Sequence, residues 1–220
     1  ARRDNPEAKL VVSGCLASLE PQRIAGELGI DLLITNPDKD RLIDIAAEQL
    51  DLPVMPEAAT VPGENALLAR GRHRAFIKVQ DGCRYRCAFC IVTKARGRER
   101  SRAIGAVVDE VNRLHAQGVQ EVVLAGVHLG GYGSDIDSNL GQLIRAVLAG
   151  TSIPRVRLGS LEPWELPEGF WELFTDSRLM PHLHLPIQSG SDSVLRRMSR
   201  RCRTAEFREL VATARHLVPD

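Results

Sequence analysis

The sequence lacks any long apolar run. Apolar residues make up 44% of its 220 positions, yet no stretch reaches the roughly 18 residues that a membrane-spanning helix needs. The opening residues, ARRDNPEAKLVVSG, contain an apolar stretch of only a few positions, which is too short for a secretory signal. We therefore expect a cytoplasmic protein without a membrane-spanning helix.

The cysteines are too few, and odd in number, for a disulfide framework. There are five, and an odd count with a tight cluster fits a reducing compartment and a metal site. Cys83, Cys87 and Cys90 cluster in DGCRYRCAFCIV. Structural zinc needs a fourth ligand, and the nearest candidates, His73 and His115, lie at unusual spacings. Three thiolates instead suit a [4Fe–4S] cluster with one iron open to a small ligand. A zinc-stabilised RNA-binding module without catalysis is the alternative.

The net charge of +1 hides a strong asymmetry along the chain. From Arg70 to Arg102 there are eleven basic residues against Asp81 and Glu99, so this window carries +9 and the rest of the chain −8. A second basic cluster, RRMSRRCR, ends at Arg203. Charge runs usually form solvated surfaces, but these charges flank the cysteines and favour an anionic partner near the metal.

Strands and helices alternate along the chain, which predicts an α/β protein with parallel sheets. Residues 1–50 contain the strands KLVVSG and DLLIT. We predict a helix between them, capped by Ser18 and ended by Gly29, and a second helix from Asn36. The apolar face of the second helix should comprise Leu42, Ile43, Ala46 and Leu50. Because two strands make no stable sheet, we expect the rest of this domain upstream, and residues 51–70 to be a linker.

The remaining residues repeat the alternation with a longer period. The predicted strands are AFIKVQ, EVVLAGV, RVRLGS and HLHLPI, and the predicted helices are 105–117, NLGQLIRAVLAG, GFWELFTD, SDSVLRRM (capped by Ser191) and TAEFRELVATARHLV (capped by Thr204). Such a pattern predicts the first part of an α/β barrel, truncated at its C-terminal end. Every unusual loop follows a strand, where barrel enzymes place catalytic residues.

Several ordered motifs then identify a family. FIKVQDGCRYRCAFCIVTKARGRERSR, VVLAGVHLGGYG, RLGSLEP and HLHLPIQSGSDSVLRRM resemble the radical S-adenosylmethionine (SAM) methylthiotransferases. The motifs GVHLGGYG and SLEP are most similar to the subgroup acting on N6-threonylcarbamoyladenosine in tRNA. The resemblance implies a partial radical SAM (β/α) barrel over residues 71–220. It also implies that residues 1–50 are the second half of a flavodoxin-like α/β domain.

The resemblance also assigns cofactors and site residues. It implies that Cys83, Cys87 and Cys90 hold a [4Fe–4S] cluster whose open iron binds SAM, and that Cys15 is one ligand of a second such cluster, whose other ligands are missing from this chain. The SAM is cleaved to a 5′-deoxyadenosyl radical, which takes hydrogen from C2 of the adenine. The family's SAM-contacting positions correspond here to Phe89, Gly126, Val127, His128, Gln188, Ser189 and Gly190.

The family further implies tRNA as partner, an electron donor such as flavodoxin or ferredoxin, and a monomer. We expect the tRNA phosphates to be bound by four closely spaced arginines: Arg96, Arg98, Arg100 and Arg102. The alternative substrates are another tRNA adenosine derivative and a ribosomal-protein aspartate. We expect that this chain alone does not complete methylthiolation.

Other conspicuous residues have simpler interpretations. Trp164 and Trp171 fit packing positions, and His182 and His184 fit structural roles on one side of a strand. Glu162 either contacts SAM or caps a turn. Cys202 matches no ligand position, and its basic surroundings predict a lowered thiol pKa.

Overall fold

A computed structural model describes residues 5–27, 29–50 and 73–218. They form two compact units. The first contains the described residues up to 50 together with Ile91–Gly97, and the second contains residues 73–90 and 98–218. The predicted linker at 51–70 lies outside the described residues. Among the described residues, no helix combines the length and apolarity needed to cross a membrane.

The first unit is built on a parallel strand pair. Strand β1 (Val11–Ser13) pairs with β2 (Leu32–Ile34), with Val12 opposite Leu33. The single helix predicted between them is instead two short helices, α1 (Cys15–Leu19) and α2 (Pro21–Glu27). Pro21 begins the second because proline suits a first helical turn but breaks a helix interior. Ser18 lies inside α1 and donates to the Gly14 carbonyl at 3.0 Å, so its predicted capping role is wrong.

The second predicted helix of this unit also begins differently. Thr35 is the N-cap of a 3₁₀ turn (Asn36–Arg41) that leads into α3 (Leu42–Leu50). Ala46 is buried as predicted, whereas the Ile43 side chain is 79% exposed and does not belong to the buried face. A short helix, α4 (Val92–Arg96), completes the unit and packs against α1.

The second unit is a four-stranded sheet with crossover helices. Strands β3 (Arg74–Asp81), β5 (Glu121–Gly126) and β6 (Arg155–Leu158) are parallel, and β4 (Arg100–Ser101) pairs antiparallel with β3 at the sheet edge. Helices α5 (Ile104–Ala116) and α6 (Leu140–Gly150) connect the parallel strands. The three predicted strands and two predicted helices are confirmed, whereas β4 was not predicted.

The core of this unit lies between the sheet and the two helices. Ile77 and Leu124 from the strands are fully buried against Val111 from α5 and Ile144 from α6. The Asn139 side chain accepts from the Gln142 amide at 3.0 Å and so caps α6. Packing therefore fixes the strands whose carboxyl ends carry the site.

Beyond β6 the chain is less regular than predicted. GFWELFTD forms only a 3₁₀ turn (Trp171–Thr175), and HLHLPI forms no regular strand. It pairs only through an isolated bridge, Ser160 with His184, because Pro181 precedes the segment, Pro186 lies within it, and neither has an N–H donor.

Two helices end the described chain, α7 (Asp192–Arg197) and α8 (Thr204–Leu217). Ser191 is the N-cap residue of α7 as predicted. The N-cap of α8 is Arg203 rather than Thr204, and the Asp192 carboxylate accepts from the Thr204 amide at 2.8 Å.

Candidate metal centre

The three clustered cysteines lie on one loop at the carboxyl end of β3. Cys83 and Cys87 are half-buried, Cys90 is exposed, and all three are free thiols. Gly82 opens the loop with φ 74°, a conformation that favours glycine. The Tyr85 amide donates to the Cys83 sulfur at 3.4 Å, and the Cys90 amide donates to the Cys87 carbonyl at 3.0 Å. The loop thus presents three thiols with its backbone already ordered.

One buried glutamine joins the cysteine loop to the loop after β5. The Gln80 side-chain amide donates to the carbonyls of Asp81 (3.0 Å) and Gly82 (2.9 Å). Its Oε1 accepts from the His128 amide at 2.8 Å. A Cβ on Gly126 would lie 3.0 Å from Gln80 Oε1, so Gly126 leaves room for this side chain. The two strand ends are therefore held in fixed register.

Two carboxylates bind the cysteine loop from outside, and with their partners they form what we call the carboxylate clamp: Glu99, Glu165, Arg84, Tyr85 and His128. The Arg84 guanidinium contacts Glu165 at 2.5 Å and Glu99 at 3.2 Å. The Tyr85 hydroxyl donates to Glu165. The two ring nitrogens of His128 contact Glu99 and Glu165. Arg84 and Tyr85 lie between Cys83 and Cys87, so the clamp fixes the loop that carries the thiols.

The charges of the clamp reinforce one another. Burial raises the pKa of Glu165, but the hydrogen bonds from His128 and Tyr85 and the charges of His128 and Arg84 together lower it to about 2. Burial lowers the pKa of His128, but its contacts with Glu165 and Glu99 raise it above the ordinary value. Each ring nitrogen of His128 faces a carboxylate oxygen, and both nitrogens can donate at once only in the protonated imidazole.

Two acidic groups beside the clamp, Glu162 and Cys83, have raised pKa values, in contrast to Glu165. Burial raises the pKa of Glu162, whose carboxylate lies 3.8 Å from His128 Nε2. Burial also raises the pKa of the Cys83 thiol to about 11. A bound metal deprotonates a coordinating thiol outright, so Cys83 would lose its proton on binding iron.

Among the described residues, two sets of side chains are candidates for holding a metal. The ligand atoms of His128, Glu162 and Glu165 lie within 4.8 Å of one another. However, both His128 nitrogens are engaged, and Glu165 already accepts from Arg84 and Tyr85, so this group is a satisfied ionic network. The three free thiols, which are soft ligands on one partly exposed loop, fit an iron–sulfur cluster.

The residues predicted to contact SAM lie in three loops, and their assignment stays a prediction. Phe89 is 51% exposed, and such an exposed ring is available for stacking. Gly126 and Val127 are half-buried. The His128 side chain is buried and engaged in the clamp. Its amide donates to Gln80, and its carbonyl accepts from the Gly131 amide at 3.0 Å, so its polar groups already have protein partners.

The third predicted SAM-binding loop contains a strained residue. Gln188 has φ 79°, a region that non-glycine residues rarely occupy and that clusters at functional sites. The Ser191 amide donates to the Ser189 hydroxyl at 3.2 Å. A Cβ on Gly190 would meet open space.

The four arginines predicted to bind RNA do not share one environment. Arg98 and Arg100 are exposed, and Arg100 lies 3.9 Å from Asp81. Arg102 contacts Glu110 at 2.5 Å and the Lys78 carbonyl at 3.3 Å, so its guanidinium is largely occupied. Arg96 is half-buried in the first unit. Of the two exposed arginines, Arg98 has no carboxylate of the described residues within ion-pair distance.

The two remaining cysteines differ from each other. Cys15, in the first unit, is half-buried, and its sulfur lies 3.6 Å from the Asn36 side-chain amide nitrogen. Cys202 is 4% exposed, and burial raises its thiol pKa. The predicted lowering of the Cys202 pKa is therefore wrong, because desolvation outweighs the arginine charges.

Sequence reasoning missed the clamp carboxylates, although one signal was present. Glu99 is one of only two acidic residues in the +9 window, and an isolated acid in such a window indicates a specific partner. Trp164, predicted to pack, stacks edge-on with Tyr85 at 5.9 Å and lies under Arg200 at 4.3 Å. His184, predicted to be structural, contacts the Ser160 hydroxyl at 2.7 Å.

Comparison with known proteins agrees with this site. Residues 77–220 match the model of the radical SAM superfamily. The chain is 34% identical over its full length to threonylcarbamoyladenosine tRNA methylthiotransferase MtaB of Rickettsia prowazekii, covering 54% of that protein. It is 35% identical, again over its full length, to tRNA-2-methylthio-N(6)-dimethylallyladenosine synthase of Roseobacter denitrificans, covering 52%. The chain thus spans about half the length of these curated relatives.

A solved structure shares the fold. The radical SAM methyltransferase TsrM of Kitasatospora setae superposes with a TM-score of 0.71 at 19% identity, covering 96% of this chain and 48% of that one. These findings confirm the α/β class, the partial barrel and the resemblance to methylthiotransferases. Since three thiols at C-x₃-C-x₂-C spacing follow the first strand of a matching barrel, the chain belongs to the radical SAM superfamily.

Proposed function

We propose that this chain is the catalytic part of a tRNA methylthiotransferase that places a methylthio group on C2 of N6-threonylcarbamoyladenosine beside the anticodon. The observation that carries the proposal is the loop of three free thiols held by the carboxylate clamp. The whole of this chain is similar to about half of each of two relatives whose names describe methylthio modification of tRNA, which supports a tRNA substrate.

Cys83, Cys87 and Cys90 would hold a [4Fe–4S] cluster, leaving one iron open for SAM. When bound, such a cluster supplies the electron that cleaves SAM into methionine and a 5′-deoxyadenosyl radical. The clamp keeps the thiols in place, because Arg84 and Tyr85 are anchored to Glu99 and Glu165. Gln80 holds the loop after β5 against the cysteine loop, which positions Gly126 and Val127 to line the same opening.

We assign Cys15 to a second cluster that belongs to the whole protein. Its sulfur lies near the Asn36 side-chain amide, which also donates to the Ala95 carbonyl at 2.6 Å. An N–H group directed at a thiolate stabilises its negative charge. This contact supports a ligand role for Cys15.

A second substrate is favoured by one specific observation. The relative from Roseobacter denitrificans, whose name gives dimethylallyladenosine, matches at 35% identity, against 34% for the threonylcarbamoyladenosine enzyme of Rickettsia prowazekii. The substituent on N6 therefore distinguishes the two proposals. A ribosomal-protein aspartate is the third substrate, and the basic residues around the cysteines favour RNA over it.

The first test measures the metal. The chain is reconstituted anaerobically, and iron, sulfide and absorbance near 400 nm are determined for wild type, Cys83→Ala and Cys202→Ala. We expect about four irons per chain, lost in Cys83→Ala and retained in Cys202→Ala. Zinc without iron would instead support a basic RNA-binding module.

The second test measures the chemistry. Reduced protein is incubated with SAM, and 5′-deoxyadenosine is quantified with tRNA carrying threonylcarbamoyladenosine, tRNA carrying dimethylallyladenosine, or no tRNA. We expect SAM cleavage in the wild type and none in Cys83→Ala, with the greatest stimulation by the threonylcarbamoyladenosine tRNA. Equal rates with all three samples would contradict the proposed substrate.

A further inference from the structure

A cleft lined by arginines lies between α7 and the start of α8. It has a volume of about 550 Å³, and its lining includes Arg196, Arg200, Arg201, Arg203, Asp192 and Cys202. Arg196, Arg201 and Arg203 are exposed, whereas Cys202 is buried. Most small-molecule pockets are mainly apolar with few charged groups. Four guanidinium groups around one cleft instead suit a polyanion.

The positive charges of this arginine cleft are only partly balanced from within. Asp192 is the one carboxylate in the lining, and its pKa is lowered by hydrogen bonds with Thr204 and, to a lesser extent, by the charges of Arg203 and Arg196. The lining carboxylate, Asp192, already accepts from the Thr204 amide at 2.8 Å. Among the described residues, no carboxylate lies within ion-pair distance of Arg196, Arg201 or Arg203. Like charges gathered in a concave surface raise the local positive potential, which a bound anion lowers. The planar guanidinium fork matches phosphate oxygens in geometry.

Two contacts join the segment of the arginine cleft to the cysteine loop, and a third joins it to Trp164, which itself packs on Tyr85. The Arg201 guanidinium lies over the Tyr85 ring at 4.8 Å, and Arg200 lies over Trp164 at 4.3 Å. The Met198 carbonyl accepts from the Ala88 amide at 3.1 Å. Tyr85 and Ala88 both lie within the loop that carries the three thiols. An anion in the cleft would therefore sit beside the opening at which the radical forms.

We propose that the arginine cleft binds backbone phosphates of the RNA substrate and so positions the target nucleotide over the cysteine loop. The proposal rests on the proposed function, because it takes RNA as the polyanion. Arg196, Arg201 and Arg203 contact the phosphates. Arg200 is a positioning residue, since its guanidinium donates to the Pro186 carbonyl at 2.5 Å.

The test is RNA binding as a function of salt. A fluorescein-labelled anticodon stem-loop RNA is titrated with wild type, Arg196→Ala and Arg203→Ala, and anisotropy is read between 50 and 200 mM KCl. Each lost phosphate contact lowers the slope of log K against log salt by about 0.7 to 0.9, which is about a threefold change in affinity across this range. A variant that combines Arg196→Ala and Arg203→Ala should lose about twice that slope.

The matched control is Arg197→Ala. Arg197 is exposed and follows Arg196 on α7, but it does not line the cleft. Arg197→Ala therefore removes one positive charge, as the other variants do, but removes no side chain from the cleft. Thermal unfolding of all variants checks that each one is folded. If Arg196→Ala and Arg203→Ala behave like Arg197→Ala while wild type binds RNA, the cleft proposal is overturned and the proposed function stands. If wild type itself fails to bind RNA, both are overturned.

Discussion

Replacing Glu165 by glutamine removes the central charge of the carboxylate clamp while keeping the size of the side chain. In the wild type the pKa of Glu165 lies at about 2, against an ordinary value of 4.5. Each tenfold change in an acid constant corresponds to about 1.4 kcal/mol, so the folded chain favours the ionised carboxylate by about 3 kcal/mol. Removing one partner of a buried ion pair costs a similar amount. We expect Glu165→Gln to lower the free energy of unfolding by about 3 kcal/mol.

Tryptophan fluorescence during urea unfolding measures this loss. The chain has two tryptophans, Trp164 and Trp171, and both lie in the second unit, so the signal reports the unit that contains the clamp. Glu168→Gln is the matched control, because Glu168 is an exposed carboxylate in the same segment. Exposed substitutions of this kind change stability by less than about 0.5 kcal/mol. A Glu165→Gln variant that unfolds together with the control would refute the clamp.

The pH dependence of the Glu165→Gln effect provides an independent check. The pKa of Glu165 is lowered by folding, so its contribution is present above pH 4.5 and is lost as the pH falls towards 2. The pKa of His128 is raised by folding, so its contribution is complete below pH 6.5 and is lost as the pH rises through the folded value. The difference between wild type and variant should therefore be largest between pH 4.5 and 6.5. A difference that does not vary with pH would show that the two groups are not coupled.

The remaining predictions concern packing and charge in the second unit. A Cβ on Gly131 would lie 2.5 Å from both Glu99 Oε1 and His128 Nδ1. Gly131→Ala should therefore destabilise the chain by about 1–3 kcal/mol in urea unfolding, whereas Gly105→Ala, which meets open space on α5, should be neutral or slightly stabilising. Burial raises the pKa of Glu121, but the hydrogen bond from Arg155 and the neighbouring arginine charges lower it below its ordinary value. Glu121→Gln should cost about 2 kcal/mol at pH 7, and thermal unfolding should show this cost disappearing as the pH falls through the lowered folded pKa. A cost that persists in acid would contradict an ionic origin.

Local sequence predicted the parts of the fold that depend on short-range pattern. The helices α5 and α6 and the strands β3, β5 and β6 follow from apolar periodicity, which acts over a few residues. Predictions failed where a longer-range contact or a proline intervened. HLHLPI has the alternation of a strand, but Pro181 before it and Pro186 within it limit pairing to an isolated bridge. Ser18 has the chemistry of a helix cap, yet its hydroxyl donates to the Gly14 carbonyl and accepts from the Asn36 amide at 2.7 Å.

The candidate site likewise has one part that local sequence predicts and another that depends on long-range contacts. The spacing of Cys83, Cys87 and Cys90 is local, so the sequence alone predicted that three thiols share a loop, one fewer than the four that usually hold a [4Fe–4S] cluster. Only the tertiary structure decided what holds that loop. Glu99 and Glu165 lie 29 and 37 residues from His128 along the chain, and they meet it because the parallel strands bring their carboxyl ends to one edge of the sheet. Such contacts depend on the packing of distant segments, which no spacing in the sequence records.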